Sequence, residues 1–221
     1  LLLFHKGEEE PYAVLPFPEE YKIGDVYSMI VFNLDIEDFE YAYRVDGPYD
    51  PEKGLIFDRR NILLDPYARA VAGQRQWGKG KAGAYHARVV KDTFDWGDMP
   101  QSKQEMCELI IYELHVRGFT RHSSSGVKCP GTFAGLREKI PYLKELGVNA
   151  VELMPVFEFD ELANAREVDG KKLLDYWGYN SVSFFAPNTS YASQVSANHE
   201  GWELKELIRD LHDNGIEVIL D

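Results

Sequence analysis

Positive charge is in short supply in this chain. Its 221 residues hold 24 Lys and Arg against 37 Asp and Glu, a formal balance of −13. Phosphate backbones are bound by clustered Lys and Arg, so nucleic acid is excluded as a partner. Long apolar runs are missing too, and nothing approaches the roughly 18–20 residues that cross a bilayer. The opening Leu1-Leu2-Leu3-Phe4 has no basic stretch before it and makes a poor signal peptide. No membrane partner is expected, and the expected location is cytoplasmic. Cysteine is limited to Cys107 and Cys129, too few and too isolated for a disulfide framework. Cys-x-x-Cys spacing is absent, so no metal site is expected, and no cofactor either.

What is present is ordinary for a globular protein: 44% hydrophobic and 28% charged residues. The 12 Phe, 13 Tyr and 4 Trp supply enough surface to bury to exclude disorder. Length alone allows one large domain or two small ones. Polar neutral ligands suit the charge balance best.

Residues 1–90 read as all-β. Val26 to Phe32 is rich in strand formers, and Phe39, Tyr41, Tyr43 and Val45 alternate with Glu40, Ala42, Arg44 and Asp46. That period of two predicts a strand with one wet face. Turn residues then crowd residues 47–54, and short strands with turns predict a small β-sandwich. Residues 91–107 read as a polar linker.

From residue 108 the pattern changes. Leu109-Ile110-Ile111-Tyr112 predicts a strand covered on both faces. Leu136, Ile140, Leu143 and Leu146 recur at helical spacing, with Pro141 kinking that helix or opening a second one and Gly147 ending it. Val148 to Met154 is a second strand, and residues 155–201 form a long aromatic- and Asn-rich connection. Leu204, Leu207, Ile208 and Leu211 predict another helix stopped at Gly215, before a last strand over 216–221. Strand and helix alternating in this way predict a parallel α/β sheet. A (β/α)8 barrel takes about 250 residues, so fewer than three of its eight units would be present.

Several motifs carry chemistry. Gly78-Lys79-Gly80-Lys81-Ala82-Gly83 matches a dinucleotide-binding pattern. That chemistry requires the glycines to leave a strand and open a helix, and here they precede an apparent strand, Ala84–Val90, so a loop is expected. Asn188-Thr189-Ser190 fits a glycosylation sequon without a secretory context, and Glu203, Lys205 and Glu206 read as a solvated helix face. His115 and Arg117 are expected to end the first α/β strand, where barrel strands point into the active site. Asp221 ends an otherwise apolar strand, a costly place for an unpaired carboxylate, which argues for a role in a site. In Asp175-Tyr176-Trp177-Gly178-Tyr179-Asn180, aromatic rings in a loop at the mouth of an α/β site suit sugar C–H faces while Asn and Asp suit hydroxyls. Phe184 and Phe185 read instead as a small core anchoring the long loop.

These residues resemble a known family. Ile111–Thr120 looks like the first barrel strand of isoamylase-type glycogen and starch debranching enzymes of the alpha-amylase superfamily, and Asn149–Val156 looks like their second. Tyr176–Asn180 with Phe184–Pro187 resembles the loop that follows, and Gly215–Asp221 the lead into the first amylase signature. Upstream, Tyr41–Tyr49 and Leu64–Ala68 resemble the N-terminal β-sandwich carbohydrate-binding module of those enzymes. The resemblance implies a carbohydrate-binding sandwich at 1–90, incomplete at its start, a linker at 91–107, and the first βαβαβ of a catalytic (β/α)8 barrel at 108–221. It also implies retaining hydrolysis of α-1,6 branch linkages in glycogen, starch or maltooligosaccharides.

Retaining chemistry needs two carboxyl groups about 5–5.5 Å apart. The family carries them after its fourth and fifth strands, so no catalytic residue is expected in this chain, which reads as an inactive excerpt of a longer parent. By resemblance, Tyr179 stacks on the sugar at the cleaved bond and Asp221 is a supporting carboxylate; His115, from its strand-end place, and Trp177, from the aromatic loop, join them as substrate-binding or site-supporting residues. A non-catalytic glucan-binding relative, a branching enzyme and a pullulanase are the alternatives. A nucleotide-binding domain, supported only by the glycine run, would be revealed by stabilisation with NAD but not with maltooligosaccharides.

Overall fold

In the computed structural model, which describes residues 1–72, 76–79, 83–91, 93–98, 104–196 and 198–221, the first part of the chain is antiparallel. Leu2–His5 (β1) pairs with Ala13–Val14 (β2) on one side. Lys22–Ile23 (β3) and Val26–Tyr27 (β4) form a hairpin. Phe39–Ala42 (β5) takes the other side of β1, Leu2 opposite Ala42 and His5 opposite Phe39. Tyr49–Asp50 (β6) and Leu55–Ile56 (β7) form a second hairpin. Leu2, Phe4 and Ala42 are buried as a small core against Ile62.

This is β-rich, as the alternation predicts, but the described residues form one three-stranded sheet with hairpins and not two stacked layers. Two-residue strands such as β3, β4, β6 and β7 are too short to offer a continuous inner face. Pairing of the 26–32 run stops at Tyr27, leaving Ile30 and Phe32 exposed. Around Ala84–Val90 there is no strand, only two isolated bridges from Ala87, to Tyr41 and to Val71. Gly80, Lys81 and Ala82 of the glycine run lie outside the described residues, as do Asp92 and 99–103 of the linker. No helix opens between Gly83 and Val90, so the geometry that a dinucleotide needs is absent there.

The wet face expected along 39–46 is corrected as well. Glu40 is buried at 4% exposure, whereas Val45 is 40% exposed. The carboxylate is inside because polar partners meet it there: His86 Nδ1 lies 3.2 Å and the Arg88 guanidinium, at Nη1, 3.7 Å away. Arg88 Nε in turn lies 3.1 Å from Glu200 of the later α/β part. Asn198, buried with φ of +63°, donates through Nδ2 to the carbonyls of Ile36 and Val89. A buried polar latch therefore ties the β-rich part to the loop before the last helix.

The α/β part opens with Ile111–Leu114 (β8), then Val116–Arg121 (α1), Phe133–Arg137 (α2) and Ile140–Leu146 (α3). Ala150–Leu153 (β9) follows, then a hairpin of Arg166–Val168 (β10) and Lys171–Leu173 (β11), inside the long connection. Trp202–Asp213 (α4) and Glu217–Leu220 (β12) close the chain. β8, β9 and β12 form a parallel sheet with β9 central.

Pro141 opens a second helix in its first turn, where a missing N–H costs nothing, and Gly147 ends it in the left-handed region. Leu204, Leu207 and Leu211 turn one stripe of α4 onto the sheet and meet Leu143, Val151, Leu153 and Ile216. β8 is an outer strand, so Ile110 and Ile111 are exposed and the double coverage expected of it does not hold. Glu203 and Glu206 are not a solvated face either. Glu203 accepts from the Ala134 and Ser193 amides, and Glu206 with Asp210 grips Arg137.

Removing one member of a buried ion cluster strands the others, at about 3–5 kcal/mol. Arg88→Met is expected to cost that much in urea unfolding. Arg60→Met, which breaks only the solvent-exposed pair with Asp58, should change stability by about 0–1 kcal/mol.

Candidate functional site

At the C-terminal ends of the parallel strands, the chain leaves β8 at Leu114 and turns at once into α1. His115 and Arg117 therefore lie beyond the strand and not in it. His115 is the cap of α1: the Gly118 amide donates to its Nδ1 at 3.0 Å. With Nδ1 accepting, the proton of the neutral ring sits on Nε2, which donates to the Tyr176 carbonyl at 2.7 Å. The Tyr191 hydroxyl lies 3.2 Å from the same nitrogen. Burial, reinforced by the Arg117 charge and opposed by the bond to Tyr176, holds the imidazole below its usual titration range. His115 is 8% exposed, so it supports the site from beneath and does not line its open surface.

What it supports is the turn at 175–180. The Tyr176 ring stacks on the His115 ring at 4.1 Å and 10°. Two glycines permit that seating. A Cβ on Gly118 would lie 2.0 Å from the Tyr176 hydroxyl, and a Cβ on Gly178 would lie 2.8 Å from the Phe159 ring. Gly178 also takes φ of +86°, which side-chain-bearing residues rarely adopt. Asp175 steadies the turn by accepting from the Gly178 amide at 3.4 Å.

The turn then presents its remaining rings outward. Trp177 is 61% and Tyr179 56% exposed, in an edge-on pair with centroids 6.3 Å apart. The Tyr179 hydroxyl donates to the Asp221 carboxylate at 2.5 Å, which pushes the phenol up to about 12. Asp221 is exposed and bonded, so it is not the buried unpaired carboxylate that its apolar strand suggests. Alternation puts it on the sheet face of Glu113 and Glu152, which stand opposite each other in register. An aromatic ledge thus borders an acidic face. Of the four predicted residues, Trp177, Tyr179 and Asp221 meet at this surface, with His115 below them. Phe184 and Phe185 form no anchoring core. They are 67% and 53% exposed, and Phe185 stacks on Tyr67.

Other residues had no signal in the sequence. Tyr191 is fully buried beneath the turn, and Trp77 reaches it from the β-rich part. Glu158 is buried at 1% exposure, its Oε1 accepting from both the amide and hydroxyl of Thr189 at 2.6 Å. Burial outweighs those bonds, and the nearby Glu161 adds to it, pushing Glu158 up to about 8. Among the described residues, no group of three His, Cys, Asp or Glu could hold a metal ion. None of the described helices is long and apolar enough to cross a membrane.

Residues 93–221 match the alpha-amylase family, described as alpha amylase, catalytic domain. The chain belongs to that family. It is 42% identical over 217 residues to Isoamylase 1, chloroplastic, of Arabidopsis thaliana, covering 92% of this chain and 28% of the relative. It is 34% identical to the Glycogen debranching enzyme of Salmonella paratyphi B, covering 82% of this chain and 29% of that one. This alpha-amylase family chain thus spans under a third of the curated relatives it matches.

Among solved structures, a pullulanase from Anoxybacillus sp. LM18-11 complexed with maltotriose is 32% identical with a TM-score of 0.58. It covers 89% of this chain and 26% of its own. A pullulanase from Paenibacillus barengoltzii, complexed with maltohexaose and alpha-cyclodextrin, shares the fold at a TM-score of 0.72 and 24% identity. It covers all of this chain and 33% of its own, so the β-rich part falls within the shared fold.

Glu158 gives this family member a testable pH dependence. Its folded pKa lies above the unfolded value of 4.5, so the native state holds the proton more tightly. That contribution is complete below 4.5 and is lost as pH rises toward about 8. Thermal stability is expected to fall across that window, and Glu158→Gln should flatten the fall. Melting curves at several pH values check this, and an equal slope in both proteins would contradict it.

Proposed function

We propose that this chain is the glucan-facing N-terminal portion of a debranching glycoside hydrolase that cleaves α-1,6 branch linkages with retention. The carrying observation is the Trp177–Tyr179 ledge bonded to Asp221 at the strand ends. Exposed aromatic faces pack against the C–H faces of a glucosyl unit, and the adjacent carboxylate and Asn180 accept and donate to its hydroxyls. The names of the relatives, isoamylase and glycogen debranching enzyme, support the linkage assignment. Maltooligosaccharides in the complexes of the solved relatives support the ligand class.

Within that reading, residues 1–90 serve as the accessory carbohydrate-binding module, 91–107 as linker and 108–221 as the start of the catalytic part. The module assignment draws support from the β-rich build of 1–90 and from the motifs at 41–49 and 64–68. A cytoplasmic setting draws support from the unpaired Cys107 and Cys129. His115 acts as support, and Tyr179, Trp177 and Asp221 as contacts. The nucleophile and acid/base carboxylates belong to strands outside this sequence.

The chain is therefore expected to bind maltohexaose without hydrolysing glycogen. Calorimetric titration should show binding that weakens about tenfold in Tyr179→Ala, the loss of one good ring contact. Release of linear chains from glycogen above a blank, or unchanged affinity in that variant, would contradict the reading.

A further inference from the structure

We propose that Trp77 is a positioning residue for the sugar-facing turn, so that the β-rich part completes the site and does not merely accompany it. The proposal rests on the reading of Tyr179 as a glucan contact. Trp77 comes from the segment 76–79, far in sequence from the strand ends, yet its ring enters the aromatic stack under the turn. It lies parallel to Tyr191 at 6.0 Å and 17°, and edge-on to Phe159 at 5.8 Å and to Tyr176 at 6.4 Å. The Arg117 guanidinium sits over its face, 4.5 Å from the centroid.

Each of these partners holds part of the turn. Tyr176 is its stacked foot on His115. Phe159 is the ring that Gly178 must clear, as the 2.8 Å approach shows. Tyr191 reaches the His115 nitrogen that bonds the turn's backbone. Arg117 belongs to the helix that His115 caps. The backbone after Trp77 presses on the start of the same turn, since a Cβ on Gly78 would lie 2.9 Å from Leu174.

Aromatic edges and faces and a guanidinium over a ring favour particular orientations. Together they fix the angle at which Tyr176, and with it Tyr179, is presented. An aliphatic side chain fills only part of that space and sets no such angle.

The test uses the whole 221-residue chain with Trp77→Leu and Trp77→Phe, folding being checked by far-UV circular dichroism. Hydrogen exchange is followed at the Asp175 and Gly178 amides and along α4, and maltohexaose is titrated. Trp77→Leu should raise exchange in the turn on the order of tenfold while α4 is unchanged. It should weaken maltohexaose binding about tenfold or more, as misplacement of a contact group does. Trp77→Phe should restore both.

Unchanged exchange in the turn, or an equal rise across α4, would overturn the proposal, the second outcome marking a merely structural side chain. If Trp77→Leu fails to fold, Arg117→Met, which lifts the cation from the ring, should give the localised rise, and its absence would overturn the proposal. If the unmodified chain binds no maltohexaose, the glucan reading of Tyr179 fails, and the exchange pattern still decides the positioning role.

Discussion

His115 stands where β8 becomes α1, and its two ring nitrogens do different work. Nδ1 accepts from the Gly118 amide and closes the first turn of the helix, while Nε2 donates to the Tyr176 carbonyl and holds the neighbouring turn. One neutral tautomer satisfies both bonds, and a protonated ring would lose the first. Burial keeps the ring neutral by disfavouring its charged form. The orientation of Tyr176, the approach of Gly178 to Phe159 and the outward reach of Trp177 and Tyr179 all depend on that imidazole staying where it is. A residue with almost no exposure thus governs a surface that is almost all exposed.

Two kinds of force hold the parts of the chain together. The α/β core beneath is apolar, with the α4 stripe and the parallel strands excluding water. The connection to the β-rich part is polar, through Glu40, Arg88, Asn198 and Glu200. An apolar seam would tolerate sliding, whereas a buried polar cluster loses its partners when displaced, so it sets a single register. Trp77 adds an aromatic contact to the same junction. The β-rich part is consequently held in one position relative to the strand ends.

Much of the α/β architecture was legible in the sequence because it follows from local periodicity. The spacing of Leu204, Leu207 and Leu211, the proline at 141 and the glycine at 147 each act within a turn or two of their own position. The resemblance to isoamylase-type enzymes gave the family and named Tyr179 and Asp221, and the aromatic loop pointed to Trp177; the fold bonds the first two and sets Trp177 edge-on to Tyr179. Long-range pairing was not legible. Glu40 looks solvent-facing by alternation, and only the arrival of His86 and Arg88 takes it inside. Asp221 looks like a costly buried charge, and only Tyr179, 42 residues away, shows it exposed and bonded. Val26–Phe32 has strand composition, yet composition cannot supply a partner strand. Trp77 carries no local pattern at all, since its meaning lies in residues more than 35 positions away.

The most direct test of this account is the protonation state of His115. At pH 6.5, where a free imidazole is half protonated, nitrogen chemical shifts of the labelled ring report which nitrogen carries hydrogen. The account predicts a neutral ring protonated at Nε2, with the Tyr176 carbonyl as its acceptor. An imidazolium, or a proton on Nδ1, would contradict it.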